Sequence, residues 1–217
     1  MLHLLLGSLC ALCRRSVAGQ DARRQLCEIC FADLPWLPTP EIDPPSAAIA
    51  RQIAPLGYAG PARDWVLASK HDSGLVAARI LGTLLAEALI DAYPPGSNRP
   101  AHLIPVPLSL RRLLWRGHNQ AALIGAPIAR ALGMTLCRRG ARRRRHTSLQ
   151  PGLDPAARRQ NVTHAFRSLR PWHGAEVAIV DDVVTTGATA TALAEALLES
   201  GAGAVHLWSP TLAPAKS

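Results

Sequence analysis

Apolar residues fill four consecutive positions of the chain, from Val177 to Val180. A short apolar run of this kind is typical of a strand buried on both faces of a parallel sheet. Further strands are predicted at 102–106, 134–137 and 205–208. Helical spacing of apolar residues predicts helices from Gly60, from Asp72 or Ser73 to near Ala92, from Asn119 to Leu132, and from Thr189 to Ser200. This alternation predicts an α/β fold with a parallel sheet and helices on both of its faces.

Two adjacent carboxylates, Asp181 and Asp182, directly follow the predicted buried strand. They stand at its C-terminal end, which is where open α/β sheets bind their ligands. A small, hydroxyl-rich turn then leads into the next helix: Thr185, Thr186, Gly187, Ala188 and Thr189. Backbone N–H groups and hydroxyls in such a turn can surround an anion at a helix N-terminus. One end of the site therefore favours an anion and the other favours hydroxyls or a metal, which is a combination that a sugar phosphate satisfies.

Four of the five cysteines form two C-x-x-C pairs, Cys10 with Cys13 and Cys27 with Cys30. Two such pairs present four thiolates to one tetrahedral ion, as in structural zinc sites. Disulfides and redox-active pairs are the alternatives. A segment of about 35 residues cannot bury enough surface to fold unaided, which favours bound Zn2+. Cys137 stands apart, and we expect it to be a buried core thiol.

Prolines are concentrated after these cysteines, with five in the eleven residues from 35 to 45. Such a composition is typical of a stiff, extended linker. It divides the sequence into a predicted zinc-ribbon module at 1–35, a proline-rich linker at 36–48 and an α/β domain at 49–217.

Two arginine-rich segments accompany the predicted site. Arg111, Arg112 and Arg116 follow a strand that ends in a proline-rich loop, and their guanidinium groups suit phosphates. A solvated helix face is the alternative for each of them. A longer polar segment runs from Arg138 to Asn161. It is open to three interpretations: a hood over the site, a basic tract for nucleic acid, or a mobile charged loop.

The chain of 217 residues has a formal net charge of +9 and a pI of about 10.3. This charge favours partners that carry phosphates, although the predominance of arginine also indicates a compositional bias. Lys70 is the internal lysine, and it either meets a phosphate or extends along the surface. No segment reaches the roughly 18 apolar residues of a membrane helix, and the N-terminus lacks a basic signal-peptide region. We therefore expect a cytoplasmic protein.

The succession of apolar strand, acid pair and T-T-G turn at 177–189 resembles the phosphoribosyl pyrophosphate (PRPP) motif of type I phosphoribosyltransferases. Together with the two C-x-x-C pairs, the loop at 104–109 and the segment 116–120, it is similar to the ComF-type competence protein family. That family joins a zinc ribbon to a phosphoribosyltransferase domain and is linked to DNA uptake in natural transformation. The resemblance implies a Rossmann-like type I phosphoribosyltransferase fold and PRPP bound with Mg2+.

The resemblance also implies roles for individual residues. Asp181 and Asp182 would hold the ribose hydroxyls and act as the catalytic pair, and the turn from Thr185 to Thr189 would hold the 5-phosphate. The remaining phosphate contacts would come from four basic residues: Lys70, Arg111, Arg112 and Arg116.

Three functions are compatible with these features. The first is transfer of a phosphoribosyl group, with release of pyrophosphate, to an acceptor that is a nucleobase, an amine or a macromolecule. The second is a non-catalytic PRPP- or nucleotide-binding protein that meets single-stranded DNA or a DNA-processing partner through its zinc ribbon and basic loop. The third is an interaction module with a vestigial pocket. Turnover of PRPP would separate the first function from the second.

Overall fold

A computed structural model describes residues 8–71, 74–144 and 165–214 of the chain. The strands are β1 (Ser8–Leu9), β2 (Ser16–Val17), β3 (Glu41–Ile42), β4 (Arg51–Ile53), β5 (Leu56–Gly57), β6 (His102–Pro105), β7 (Thr135–Leu136), β8 (Ala141–Arg143), β9 (Phe166–Ser168), β10 (Glu176–Val180), β11 (Val183–Val184), β12 (Ala204–Trp208) and β13 (Thr211–Leu212). The helices are α1 (Gly19–Arg24), α2 (Glu28–Ala32), α3 (Gly60–Ala68), α4 (Leu75–Ala92), α5 (Leu110–Arg116), α6 (Gln120–Ala131) and α7 (Ala188–Leu198).

The central sheet has six strands in the order β3–β4–β12–β10–β6–β7. Its neighbours are parallel except for the edge strand β3, which runs antiparallel to β4. Strand β10 lies between β12 and β6, and its residues from Val177 to Val180 are fully buried. The α/β fold with a parallel sheet is therefore confirmed. The apolar run at 177–180 marks its most enclosed strand.

Alternate residues of β10 pack into different halves of the core. Ala178 and Val180 belong to a cluster that includes the buried faces of α4 and α6. Val177 and Ile179 belong to a second cluster on the other face, which includes Leu193 of α7. This two-sided burial follows from the alternation of side chains along a strand, and it explains why the strand lacks polar positions.

Helices α4 and α6 make the closest helix pair beside the sheet. Gly82 of α4 has no side chain, and a Cβ at this position would collide with the carbonyl oxygen of Ile124 in α6. The two helices approach each other because α4 carries a glycine at the crossing point. This packing fixes the start of α6, and with it the segment 116–120.

The segment 36–48, predicted as a linker, contributes a strand to the central sheet. Glu41 and Ile42 of β3 pair with Ile53 and Gln52 of β4. The preceding Leu34 is 5% exposed and belongs to the same core cluster as α4. The segment is therefore anchored along its length and does not act as a free spacer, while the domain limits themselves remain a prediction.

Several predicted features lie outside the described residues. They are the helix caps Asp72 and Ser73, the first seven residues, and residues 145–161 of the polar segment that begins at Arg138. Strands β8 and β9 flank that segment as an antiparallel pair. Within the described ranges, no helix has the length and apolar character needed to cross a membrane.

Candidate functional site

The two carboxylates stand where β10 ends in the middle of the sheet. The N–H of Asp181 still donates to the carbonyl oxygen of Trp208 at 3.1 Å, which extends the pairing with β12 by one residue. The N–H of Asp182 then donates to Asp181 Oδ1 at 2.9 Å, and the N–H of Val183 donates to Asp182 Oδ1 at 3.1 Å. Backbone donors thus orient one oxygen of each carboxylate and leave the other available.

The second oxygen of Asp182 pairs with a lysine from a different part of the chain. Lys70 Nζ lies 3.0 Å from Asp182 Oδ2, and the Asp182 side chain is 7% exposed. Lys70 stands in the turn after α3, where His118 Nε2 lies 2.9 Å from the carbonyl oxygen of Ser69. The fold therefore brings Lys70 to the acid pair, although the two residues are far apart in sequence.

The environment of Asp181 differs from that of its neighbour. Burial and the charge of Asp182 raise the pKa of Asp181 well above its ordinary value, and Lys70 offsets this effect in part. Two adjacent carboxylates at the end of a buried strand repel each other, so the pair holds its two negative charges at a cost. A ligand that brings positive charge or hydroxyl donors would relieve this repulsion.

The turn after the acid pair forms a cavity of about 50 Å3. It is lined by Asp181 and by the residues from Val183 to Ala190. Gly187 adopts φ 71°, a left-handed conformation suited to glycine, and α7 begins at the next residue without a side-chain cap. The first N–H groups of an 11-residue helix therefore face this cavity, with Thr186 Oγ1 accepting a long bond of 3.4 Å from the N–H of Ala188.

Helix α5 brings arginines to the other side of the acid pair. Ser109 accepts from the N–H of Arg112 to cap the helix, and Gly117 ends it with φ 70°. Burial lowers the pKa of Arg116, while the nearby charge of Asp182 raises it and that of Arg112 lowers it. Arg112 and Arg116 share one helix face because they are four residues apart. Arg111 is exposed on an adjoining face of the same helix.

Arg143 is a site residue that the sequence pattern did not single out. Its guanidinium lies 5.4 Å from the centre of the Phe166 ring, across the β8–β9 pair. Burial lowers the pKa of Arg143, the charge of Arg112 lowers it further and that of Asp181 raises it. Arg143 is therefore within electrostatic reach of the acid pair. Arg143 lies in a run of arginines, so the sequence does not distinguish it from its neighbours. The pairing of β8 with β9 gives Arg143 its position near the acid pair.

The solvent side of α5 is unusually apolar. Leu110, Leu114 and Trp115 are 70%, 75% and 73% exposed, and no residue of this helix is buried. Arg116, whose charge interacts with that of Asp182, thus shares a short helix with an uncovered apolar surface.

A separate group of four thiols lies at the N-terminal end of the described chain. The sulfur atoms of Cys10, Cys13, Cys27 and Cys30 all lie within 4.8 Å of one another, and those of Cys13 and Cys27 are 3.6 Å apart. A tetrahedral zinc ion with Zn–S bonds of about 2.3 Å requires sulfur separations of about 3.8 Å. The arrangement therefore suits a metal ion and is consistent with a zinc ribbon.

The four thiols differ in how readily they lose a proton. Burial acts to raise the pKa of Cys10, but backbone N–H groups of Cys13 and Cys27 outweigh it and lower the pKa to about 6. Burial and the neighbouring thiols raise the pKa of Cys30 to about 12. Cys137 is far from this group in sequence and only partly buried, with its sulfur 3.8 Å from His102 Nδ1.

Several known proteins are similar to this chain over 133 or 134 residues. No protein-family model matches the sequence. The DNA utilization protein YhgH of Salmonella typhimurium is 38% identical over 133 residues, which are 61% of this chain and 59% of the relative. YhgH of Escherichia coli K12 matches to the same extent. Competence protein F of Haemophilus influenzae is 36% identical over 134 residues, which are 60% of this chain and 58% of the relative. The chain thus matches less than two thirds of the length of these relatives.

One solved structure is a chain of glutamine PRPP amidotransferase from B. subtilis, in complex with ADP and GMP. It aligns with 67% of this chain and 26% of its own length, with a TM-score of 0.40 and 23% identity. The sequence relatives thus show a similarity of this chain to DNA utilization and competence proteins, at 36–38% identity over about 60% of its length.

Proposed function

We propose that this protein binds PRPP at the end of β10 and transfers its phosphoribosyl group to an acceptor, with release of pyrophosphate. One observation carries the proposal: Asp181 of the acid pair and the start of α7 line the same cavity, and basic side chains lie near the acid pair. Those side chains are Lys70, Arg112, Arg116 and Arg143. The site thus has separate places for two groups of phosphates and for the sugar hydroxyls between them.

Each part of PRPP has a chemically matched partner in this arrangement. The turn from Thr185 to Thr189 offers N–H groups and hydroxyls to the 5-phosphate. Asp181 and Asp182 accept hydrogen bonds from the ribose hydroxyls. Lys70, Arg112 and Arg116 neutralise the pyrophosphate, while the exposed Arg111 lies at the margin of the site. Carboxylate and phosphate oxygens are also the ligands that Mg2+ prefers, so the pair suits PRPP in its magnesium form.

The proposed chemistry is a substitution at the anomeric carbon of the ribose. The bond from this carbon to pyrophosphate breaks, a bond to the acceptor nucleophile forms, and the acceptor releases a proton. Positive charge develops on the sugar, and the carboxylates of Asp181 and Asp182 stabilise it electrostatically. The basic side chains hold the leaving group, and bound Mg2+ would add to this neutralisation. Positioning and electrostatics therefore supply most of the catalysis.

Titration calorimetry of PRPP with Mg2+ tests the proposal. We expect a dissociation constant in the micromolar range, about −8 kcal/mol, and loss of binding in the double variant Asp181→Asn, Asp182→Asn. The double variant Glu195→Gln, Glu199→Gln is the control, because it removes two charges from exposed positions around α7. Absence of binding by the folded wild type would refute the pocket. Release of pyrophosphate in the presence of candidate acceptors then distinguishes transfer from binding alone.

We also propose that the four-cysteine group binds Zn2+ as a structural ion and that the protein acts in the cytoplasm. Free thiols in C-x-x-C pairs fit a reducing compartment. The names of the relatives, DNA utilization protein and competence protein F, support a link to DNA uptake.

A second candidate function is a PRPP-binding protein without transferase activity that contacts single-stranded DNA. The exposed Trp115 supports it, since an aromatic side chain beside Arg111 offers a base-stacking surface with a cation for the backbone. Anisotropy with labelled oligo(dT) tests this candidate. Trp115→Ala should weaken binding about tenfold, the effect of losing roughly 1–3 kcal/mol of stacking. Leu110→Ala, at an equally exposed position of α5, should leave it unchanged, and equal effects would contradict base stacking.

A further inference from the structure

The proline-rich segment before the α/β domain is held rigidly against the sheet. The N–H of Leu37 donates to Pro55 O at 2.9 Å, and the N–H of Ala54 donates to Pro40 O at 2.7 Å. Between and beyond these bonds, β3 pairs with β4. The backbone that enters residue 43 therefore has a fixed position and direction.

The same segment is fixed again after its last proline. The N–H of Ile49 donates to Ser46 O at 3.1 Å, and the N–H of Ala50 donates to Val205 O at 2.8 Å. Ile49 itself is 2% exposed and belongs to the core cluster that contains α7. Pro44 and Pro45 are thus anchored on both sides, in a short exposed crossing between β3 and the core.

That crossing runs over the turn that begins α7. A Cβ placed on Gly187 would lie 2.5 Å from Cγ of Pro45, and closer still to its Cβ. The proline ring therefore contacts the backbone of Gly187 directly and leaves this residue buried. Two independent constraints require glycine at position 187: its left-handed φ of 71° and the proline ring above it.

We propose that Pro45 is a positioning residue that forms the outer wall of the phosphate turn. This inference rests on the proposed function, because it assigns the turn to the 5-phosphate of PRPP. Glycine is the most flexible residue in a chain, so a turn built on Gly187 loses affinity unless something restricts it. The rigid ring of Pro45 restricts it from outside, and the N–H groups of the turn face the cavity before a ligand arrives. Preorganisation of this kind raises affinity by lowering the entropy lost on binding.

The test measures how tightly the variants Pro45→Gly and Pro44→Gly bind two fragments of the proposed ligand. Pro44 is the adjacent exposed proline and serves as the control. Ribose 5-phosphate probes the turn, and pyrophosphate probes the basic side chains. Pro45→Gly should weaken ribose 5-phosphate about tenfold, the effect of freeing one or two ordered residues, and leave pyrophosphate binding unchanged. Pro44→Gly should alter neither ligand by more than about twofold. Equal weakening of both ligands, or equal effects of the two variants, would overturn the assignment of Pro45.

Hydrogen exchange separates this inference from the proposed function. The amides from Thr186 to Thr189 should exchange faster in Pro45→Gly than in Pro44→Gly or the wild type, without any ligand. If the wild type binds neither ribose 5-phosphate nor pyrophosphate, the proposed function fails while this exchange still tests the wall. Unchanged exchange in Pro45→Gly would refute the role of Pro45 whatever the ligand proves to be.

Discussion

Asp181 and Asp182 are adjacent in sequence but differ in their surroundings. Asp182 faces Lys70 at 3.0 Å, whereas burial and the charge of Asp182 raise the pKa of Asp181. The folded state therefore retains a proton on Asp181 at pH values where the unfolded chain has lost it. Such a group adds stability at low pH that disappears as the pH rises through its raised pKa. A carboxylate that destabilises the fold is retained more readily at a functional site than elsewhere.

The first prediction follows from this asymmetry. Asp181→Asn should increase the free energy of unfolding at pH 7, because it removes a negative charge that burial and the charge of Asp182 disfavour in the folded state. The same variant should lose PRPP binding. Denaturant unfolding measures the first effect and calorimetry the second.

Asp182→Asn serves as the comparison, because it breaks the ion pair with Lys70 and should destabilise the protein. A less stable Asp181→Asn variant would contradict the view that Asp181 is held under electrostatic strain.

His206 in β12 forms a buried polar contact on the opposite side of the sheet from the turn of Gly187. Its Nδ1 lies 2.6 Å from the hydroxyl oxygen of Tyr93, and its Nε2 lies 3.5 Å from a carboxylate oxygen of Glu176. Burial lowers the pKa of His206, Glu176 raises it and Arg51 lowers it. The folded state therefore disfavours protonation of this ring relative to the unfolded chain.

The second prediction concerns acid stability. A histidine with a lowered pKa contributes stability above the ordinary histidine pKa of about 6.5, and this stability is lost as the pH falls from that value through the lowered pKa of the folded state. The free energy of unfolding should therefore decline between pH 7 and 5, and His206→Gln should flatten the decline. His71→Gln, at an exposed position, should keep the wild-type profile. Equal profiles for the two variants would refute the role of His206.

At the scale of elements, the cysteine group is attached to the α/β domain through α4. Arg24 Nε lies 2.8 Å from both carboxylate oxygens of Glu87 in α4, and its guanidinium lies 4.0 Å from the centre of the Phe31 ring. Cys10 and Leu26 are fully buried in the same cluster as α4. The module is thus packed onto the core of the domain, and its folding and that of α4 support each other.

The third prediction is that metal removal lowers the stability of the whole protein. Cys27→Ser should lose the bound zinc and reduce Tm by about 5–15 °C, the shift that a loss of roughly 2–5 kcal/mol causes at this chain length. The reason is that a module of this size needs its metal to fold. Calorimetry and metal analysis check it. Cys137→Ser is the matched control and should keep both zinc and Tm, whereas equal zinc contents in the two variants would exclude the cysteine site.

At the scale of the whole molecule, charge is distributed to favour polyanions. The net charge is +9, and among the described residues the cations nearest the acid pair come from three separate segments: the turn after α3, helix α5 and strand β8. Such a surface attracts phosphate-bearing ligands over distances near the Debye length. The binding affinity of a small ligand in the cavity and that of a nucleic acid on the exterior should therefore depend differently on salt concentration.

The fourth prediction uses that difference. Oligo(dT) affinity should fall about 50-fold between 50 and 200 mM salt if four phosphates are contacted, since each contributes a slope of about −0.7 for single strands. Binding of PRPP with Mg2+ should change several-fold less, because its phosphates lie against partly buried groups. Anisotropy and calorimetry across salt concentrations compare the two. Oligo(dT) binding that does not depend on salt would contradict the DNA-binding candidate.

The sequence by itself determined the features that depend on neighbours along the chain. The apolar run at 177–180, the acid pair after it and the turn to Thr189 required a buried parallel strand with a ligand site at its end, because period, burial and turn chemistry are local properties. The spacing of Cys10, Cys13, Cys27 and Cys30 likewise predicted a group of thiols, and the structure confirms the group.

Only the tertiary structure decided which distant residues complete the site. Lys70 meets Asp182, Arg143 reaches the acid pair, and Pro45 covers Gly187, although each comes from a segment that reads locally as surface, charged loop or linker. Their positions depend on the packing of α4 against α6, on strand pairing and on the anchoring of β3, which join residues far apart in sequence. Electrostatic and steric contacts act through space, so a pattern read along the chain contains no signal for Arg143 or Pro45, whereas Lys70 was a candidate whose partner only the fold identified.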